Sequence, residues 1–346
     1  MLGGIYVFIK KILGICTAAV MLFSASVSVC AVDVSANVPE EISEFADIVG
    51  LTGLSAPRPI YSPDEKLFGY CAEGTNCYII YDTEYNMVEY SDSKLSEYHN
   101  LTSTLYYCGP LAYYVKENGN FENLQSGELY TANDFCSSDE LKNHIEANAI
   151  AVESDPDFGI QPMATVTENY TIPDADFSYY DPSWNSDAKY GGSCGQLAAT
   201  AILAFLAAEG SINIPIFYVQ NPYYLFLELI QIIPHASDSY GTSPTQIFSG
   251  LKKYSQNKNY SYSVSYGLFS TTAENMYRSK VRSGIPSMVQ IINHPLYKEH
   301  WVIGYGYRTV QGNAGTSKSV IVDDGWGNEK IYISDLYINS FVYFSY

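Results

Sequence analysis

Between Lys66 and Val115, tyrosine and aliphatic residues come in short runs, KLFGYCA, CYIIYD, NMVEYS and TLYYCGPLAYYV, broken by Gly, Asn and Asp. Runs of this length and content predict strands joined by turns. Upstream, residues 40–50 (EEISEFADIVG) have the spacing of a short amphipathic helix. Downstream, Ser137-Ser138-Asp139-Glu140 marks a helix start, with acids in the first turn where the helix dipole favours them, and the helix is expected to reach about Asn148. Residues 153–165 (ESDPDFGIQPMAT) hold two prolines and a glycine without periodicity, and read as an exposed linker.

The pattern then changes. In 191–210 (GGSCGQLAATAILAFLAAEG), Leu197, Ala198, Ala201, Ile202, Phe205 and Leu206 form a wide apolar face, and Gly210 is a good stop. Alanine fills most other positions, so this helix is expected to be buried on nearly all sides. Residues 215–233 and Ser243–Tyr254 predict two more helical segments. From Ser287 onward come the strands SMVQII, HWVIGYGY, SVIVDD, EKIYI and FVYFSY. The fold class is α+β: a small α+β domain, followed by a helical part and then an antiparallel β-sheet.

Charge sharpens this division. The 346 residues carry 18 Lys and Arg against 37 Asp and Glu, a net charge of −19. Residues 1–165 hold 23 acids and 7 bases, whereas 166–346 hold 14 and 11. Such acidity excludes a nucleic-acid footprint and opposes binding to anionic lipid. A hydrophobic content of 47% excludes a disordered chain. At the start, Lys10 and Lys11 precede an uncharged run from Ile12 to Val29, and Val29-Cys30-Ala31 fits the small-x-small rule of signal peptidase. The expected organisation is a signal peptide over 1–31, an acidic N-terminal domain over 32–152, a linker over 153–179 and a second domain over 180–346. The protein is thus expected to be secreted, with no membrane attachment after signal cleavage. Export makes the thiols Cys71, Cys77, Cys108 and Cys136 candidates for two disulfides with three possible connectivities, Cys71 and Cys77 flanking a turn as a local pair.

Cys194 stands apart in the second domain, directly before the buried helix and after Gly191-Gly192-Ser193. Helix N-terminal N–H groups stabilise a thiolate and can also hold an oxyanion beside it. A thiol nucleophile needs a base, and His300 opens the strand WVIGYGY. Folding that strand on SVIVDD about Gly312 places His300 opposite Asp324, a carboxylate able to orient an imidazole; a one-residue slip brings Asp323 there, on the other face. Gly304 and Gly306 are expected to allow close packing of the nucleophile helix. No HExxH spacing or phosphate-cradling loop occurs, so neither metal nor cofactor is expected.

Together, the Cys at a helix start, the His opening a strand that ends Gly-Tyr-Gly-Tyr, and Asp324-Gly325-Trp326-Gly327 resemble papain-fold cysteine peptidases, in particular the secreted bacterial branch that includes streptopain. The likeness covers about 180–346. It implies a papain-like catalytic domain with Cys194 as nucleophile, His300 as base, Asp324 as orienting residue and Trp326 as a shield over that contact. The family places an oxyanion-hole glutamine six residues before the cysteine; that position is Ala188 here, which leaves Asn185 or Gln196, or main-chain N–H groups, for the role. The resemblance also implies a peptide or protein substrate and a zymogen whose N-terminal domain is an intramolecular inhibitor. The same triad serves amidases and transferases. A papain-like module without activity, binding peptide or glycan through its tyrosines, is the reading from a different class.

Overall fold

The tyrosine-rich runs of the first half do form strands, in a computed structural model that describes residues 38–135, 137–153, 165–179, 184, 192–234, 242–292, 300–312, 315–325 and 330–346. They are β1 (Arg58–Tyr61), β2 (Leu67–Glu73), β3 (Tyr78–Asp82), β4 (Met87–Ser91), β5 (Leu105–Tyr107), β6 (Tyr113–Glu117), β7 (Asn120–Asn123) and β8 (Leu129–Tyr130). The run expected to be one strand, TLYYCGPLAYYV, is divided into β5 and β6 because Gly109 (φ 113°) and Leu111 (φ 63°) turn the chain between them. Two helices flank this meander. One is α1 (Glu40–Val49), closed by left-handed Gly50, and the other is α2 (Ser138–Glu153).

The second half adds β9 (Thr165–Thr171), α3 (Cys194–Ala208), α4 (Ile216–Gln220), α5 (Pro222–Ile232), α6 (Pro244–Lys258), β10 (Ser263–Leu268) and α7 (Thr271–Arg282). Then come β11 (Ser287–Ile291), β12 (His300–Gly312), β13 (Gly315–Asp323), β14 (Ile331–Ser334) and β15 (Ile338–Ser345). Residues 165–171, expected to belong to the linker, are therefore strand. The helical segment over 215–233 is two helices, because Pro222 cannot sit in a helix interior and instead opens α5. β10 and α7 have no counterpart in the apolar pattern: α7 is mostly polar, and buries only Ala273, Tyr277 and Val281 with the paired Glu274 and Arg278.

The architecture is α+β, with a large, mostly antiparallel sheet whose order is β10-β15-β11-β12-β13-β14-β4-β3-β2-β1-β5-β6-β7-β8. β1 and β5 form a parallel pair, and β9 lies along the second half of β12, beyond the reach of β11. The described residues belong to one compact unit, Asn37–Tyr346, and the acidic half meets the C-terminal half inside the sheet itself. There β14 pairs with β4, Tyr332 opposite Tyr90. Their rings stack at 4.4 Å and 7°. Arg308 of β12, 7% exposed, donates to Tyr90 Oη (3.2 Å), Tyr332 Oη (2.8 Å) and Asp92 Oδ2 (3.3 Å), and Lys330 Nζ lies 2.9 Å from Asp92 Oδ1. A buried guanidinium needs such company, because an unpaired charge away from water is costly.

Glu89 meets the same constraint in the acidic half. This fully buried carboxylate accepts from Tyr78 Oη (2.9 Å), Tyr107 Oη (2.9 Å), Tyr113 Oη and Leu111 N (2.8 Å). Burial raises its pKa, against the pull of these donors.

Two expectations need correction. Cys71 and Cys77 are free thiols. Cys71 pairs with Ile80 across β2 and β3, whereas Cys77 lies opposite Gly74, an odd offset that puts the two side chains on opposite faces. Cys108 is likewise a thiol, and Cys136 lies outside the described residues, as does the segment 1–31 expected to be a signal peptide. Gly304 and Gly306 do not serve the packing of α3. A Cβ on Gly304 would meet Val289 Cγ2 at 2.4 Å and Tyr277 Oη at 2.9 Å, and one on Gly306 would meet Tyr170 O at 2.7 Å. Among the described residues no helix is long and apolar enough to cross a membrane.

The join between the halves can be weighed by mutation. Tyr332→Ala, which removes a buried stacked ring, is expected to lower the unfolding free energy by about 3–5 kcal/mol in urea melts. Tyr332→Phe, which keeps the ring but deletes the hydroxyl between Arg308 and Asp92, is expected to cost about 1–3 kcal/mol. A loss under about 0.5 kcal/mol for the alanine variant would show that the β4–β14 seam carries no stability.

Candidate active site

Gly192 adopts φ 77°, a left-handed conformation that favours glycine, and turns the chain into Ser193 and the first turn of α3. Cys194 is the first residue of that helix and is half-buried. From Gly195 to Leu206 every residue of α3 is buried, so the helix axis, and with it the direction of its N-terminal dipole, is set by packing on all sides. The contact that aims it is at Gly195: a Cβ there would lie 2.6 Å from Ile247 Cδ1 and 3.2 Å from Trp301 Cδ1. Trp301 immediately follows His300. The start of α3 therefore lies against the start of β12.

Three buried side chains lock this approach. The indole N–H of Trp301 donates to the main-chain carbonyl of Thr242 at 2.6 Å. Gln196 Nε2 donates to Ile233 O (3.1 Å) and to Thr242 Oγ1 (3.5 Å), and Thr242 Oγ1 donates to Pro234 O (3.3 Å). Thr242 thus ties β12 and α3 to the segments after α5 and before α6. This also corrects the role expected of Gln196: both of its amide hydrogens are engaged within the core, leaving none for an oxyanion. Asn185 and Trp326 lie outside the described residues. Trp184 packs edge-on to Tyr223 of α5 at 5.1 Å.

His300 begins β12 opposite Ile291 of β11. Its ring donates to the main-chain carbonyl of Asp324, and burial lowers its pKa from the ordinary 6.5 to about 4, so the imidazole is neutral at neutral pH. The β12–β13 register differs from the expected one. Pairing runs out to Gly312 and Gly315, so the hairpin turns later than a centre on Gly312 requires, and a bulge at Tyr305 takes back one residue. Ile303 then faces Asp323, and extending the register puts Asp324 opposite Val302, diagonal to His300. A displacement of two residues preserves the face, so Asp324 and His300 share one side of the sheet.

Asp324 is 2% exposed, and its Oδ2 accepts from Gln125 Nε2 at 3.3 Å. Asp323 does something different. Its Oδ1 accepts from Gly325 N at 2.8 Å, closing the turn after β13. Trp301, Thr242 and Gln125 were not among the expected site residues. Trp301 had a sequence signal, adjacency to His300. Thr242 and Gln125 had none, because both act across long stretches of chain. Two cavities of about 250 and 380 Å³ lie elsewhere, lined by neither Cys194 nor His300. Among the described residues no group of three His, Cys, Asp or Glu side chains gathers as a cation site.

Two outcomes test this geometry. A histidine whose folded pKa lies below its unfolded value supports folding fully above about pH 6.5, and that support is lost as pH falls towards 4. Wild type is therefore expected to lose about 1–2 kcal/mol relative to His300→Gln between pH 7 and pH 5 in urea melts; parallel curves would show that the ring is not held neutral by burial. Gly195→Ala drives a methyl into Ile247 and Trp301, and is expected to destabilise the fold by about 1–3 kcal/mol. Unchanged stability would mean that α3 does not press on β12 as described.

In comparisons with known proteins, no family model matches this chain and no curated protein matches it.

Proposed function

We propose that the chain is a secreted cysteine peptidase of papain type, with Cys194 as nucleophile, His300 as base and Asp324 as its orienting residue. The observation that carries this reading is the packing of Gly195 on Trp301, which brings the first turn of a buried helix, with its thiol, to the start of β12, where a neutral imidazole donates to the main-chain carbonyl of Asp324. His300 takes the Cys194 proton as sulfur bonds to the peptide carbonyl carbon. Main-chain N–H groups at the start of α3 are the donors for the resulting oxyanion, the role that Gln196 does not fill. The tetrahedral species collapses as the imidazolium gives its proton to the leaving amine and the C–N bond breaks. Water, deprotonated by His300, then attacks the thioester, and the acid product leaves as the thiol reforms.

A thiol-directed epoxide is the direct test. It is expected to alkylate the native protein at Cys194 alone, because Cys71 is buried with a thiol pKa raised to about 12 and is a poor nucleophile. Cys194→Ala and His300→Ala are each expected to abolish peptide hydrolysis, to below about 10⁻³ of wild-type kcat/KM. Native protein that reacts only after denaturation would refute the reading. Epoxide labelling without peptide hydrolysis would redirect it to an amidase or transferase with the same thiol.

A further inference from the structure

The acidic half reaches the candidate site through one of its turns. Gln125, in the turn after β7, donates through Nε2 to Asp324 Oδ2, 199 residues further along the chain. We infer that Gln125 is a positioning residue of the site, and that the acidic half is a lasting part of the working enzyme rather than an inhibitor to be shed. The inference rests on the peptidase reading above.

The turn that presents Gln125 is built for rigidity. Asn123, 7% exposed, accepts through Oδ1 from both Gln125 N and Ser126 N at 2.9 Å. The main chain closes around it through Gly127 N to Asn123 O (2.8 Å), Asn123 N to Glu128 O (2.9 Å) and Leu124 N to Tyr113 O (2.9 Å). Left-handed Gly127 (φ 70°) completes the bend. A side chain on such a turn loses little further freedom when it forms a hydrogen bond. Its amide N–H fixes one carboxylate oxygen of Asp324, while the main-chain carbonyl of the same residue holds the His300 ring. The relay runs from Gln125 to Asp324 to His300.

The rest of the interface has the character of a permanent one. Strand β14 finds its partner in β4, so detaching the acidic half would open a sheet edge next to the site. It would also strip Arg308 of Asp92 and Tyr90. From the far side, Asn148 Nδ2 of α2 donates to Leu336 O (2.8 Å) and Ile338 O (3.0 Å), tying the acidic half to the approach to β15. Cutting the chain within 154–164 leaves these bonds intact.

The test compares Cys194 alkylation rates across pH 4–9 in wild type, Gln125→Ala and Gln125→Glu, with urea midpoints checked for each. Gln125→Ala is expected to slow alkylation and hydrolysis about 3- to 10-fold and to move the acid limb of the pH profile. Gln125→Glu, equal in size, sets a like charge beside Asp324; it is expected to slow both further and to shift the acid limb upward. A chain carrying a protease site within 154–164 is then nicked, and the two pieces are expected to co-elute with the alkylation rate retained. Wild type that reacts, with both Gln125 variants keeping its rate and profile, overturns the inference and leaves the peptidase reading standing. Faster alkylation in Gln125→Ala, or pieces that separate on nicking with a rise in rate, overturns it in favour of an inhibitor. Wild-type Cys194 that never reacts refutes the peptidase reading itself.

Discussion

One tryptophan holds the candidate site together. Trp301 presents its ring edge to Gly195, so that α3 can approach only as closely as a glycine allows, and its indole N–H is held by the Thr242 carbonyl. A buried indole without an acceptor is unfavourable, so the ring has one satisfactory pose, and that pose sets the distance between a helix start and a strand start. Thr242 receives Gln196 of the same helix through its hydroxyl. The thiol and the imidazole that border this contact are therefore placed by neighbours in the core.

A second constraint works at the seam between the halves. Arg308 is buried and must be neutralised, and the acidic half supplies Asp92 and the Tyr90 hydroxyl. The tyrosine excess has part of its explanation here and at Glu89, where three phenols and one N–H surround a carboxylate that strand packing has taken out of water. Phenylalanine would fill these positions equally well but would leave Glu89 with Leu111 N and Arg308 with Asp92 in place of several phenol partners. The tyrosines provide apolar bulk and a polar tip together. Among the described residues, the strong negative charge of the first half mostly faces solvent, and its one buried acid, Glu89, bonds across elements.

Much of the chain could be read locally. Cys194 at a helix start, α3 buried by its alanines, the helix beginning at Ser138, and most strands follow from the spacing of apolar residues, because periodicity reports which face is covered without specifying by what. Pro222 splitting a helix and Gly192 in a left-handed turn are equally local. The polar α7 was hidden, since its buried Glu274 and Arg278 satisfy each other and mimic a solvated face.

Other features needed the tertiary structure. The face shared by His300 and Asp324 followed from strand alternation, but their pairing depended on where the hairpin turns and on the bulge at Tyr305, which packing of β9 and β11 along one strand accommodates. The thiols Cys71 and Cys77 flank a turn in sequence, yet the β2–β3 register sends them to opposite faces. Gln196 lies two residues from Cys194, yet its amide turns into the core towards Ile233 and Thr242. Thr242 and Gln125 carry no signal in their own neighbourhoods. By itself the sequence determined the elements, because their periodicities are written within about ten or fifteen residues. Only the folded chain decided register, disulfide geometry and the partners of Asp324, because those depend on residues brought together across as many as 199 positions.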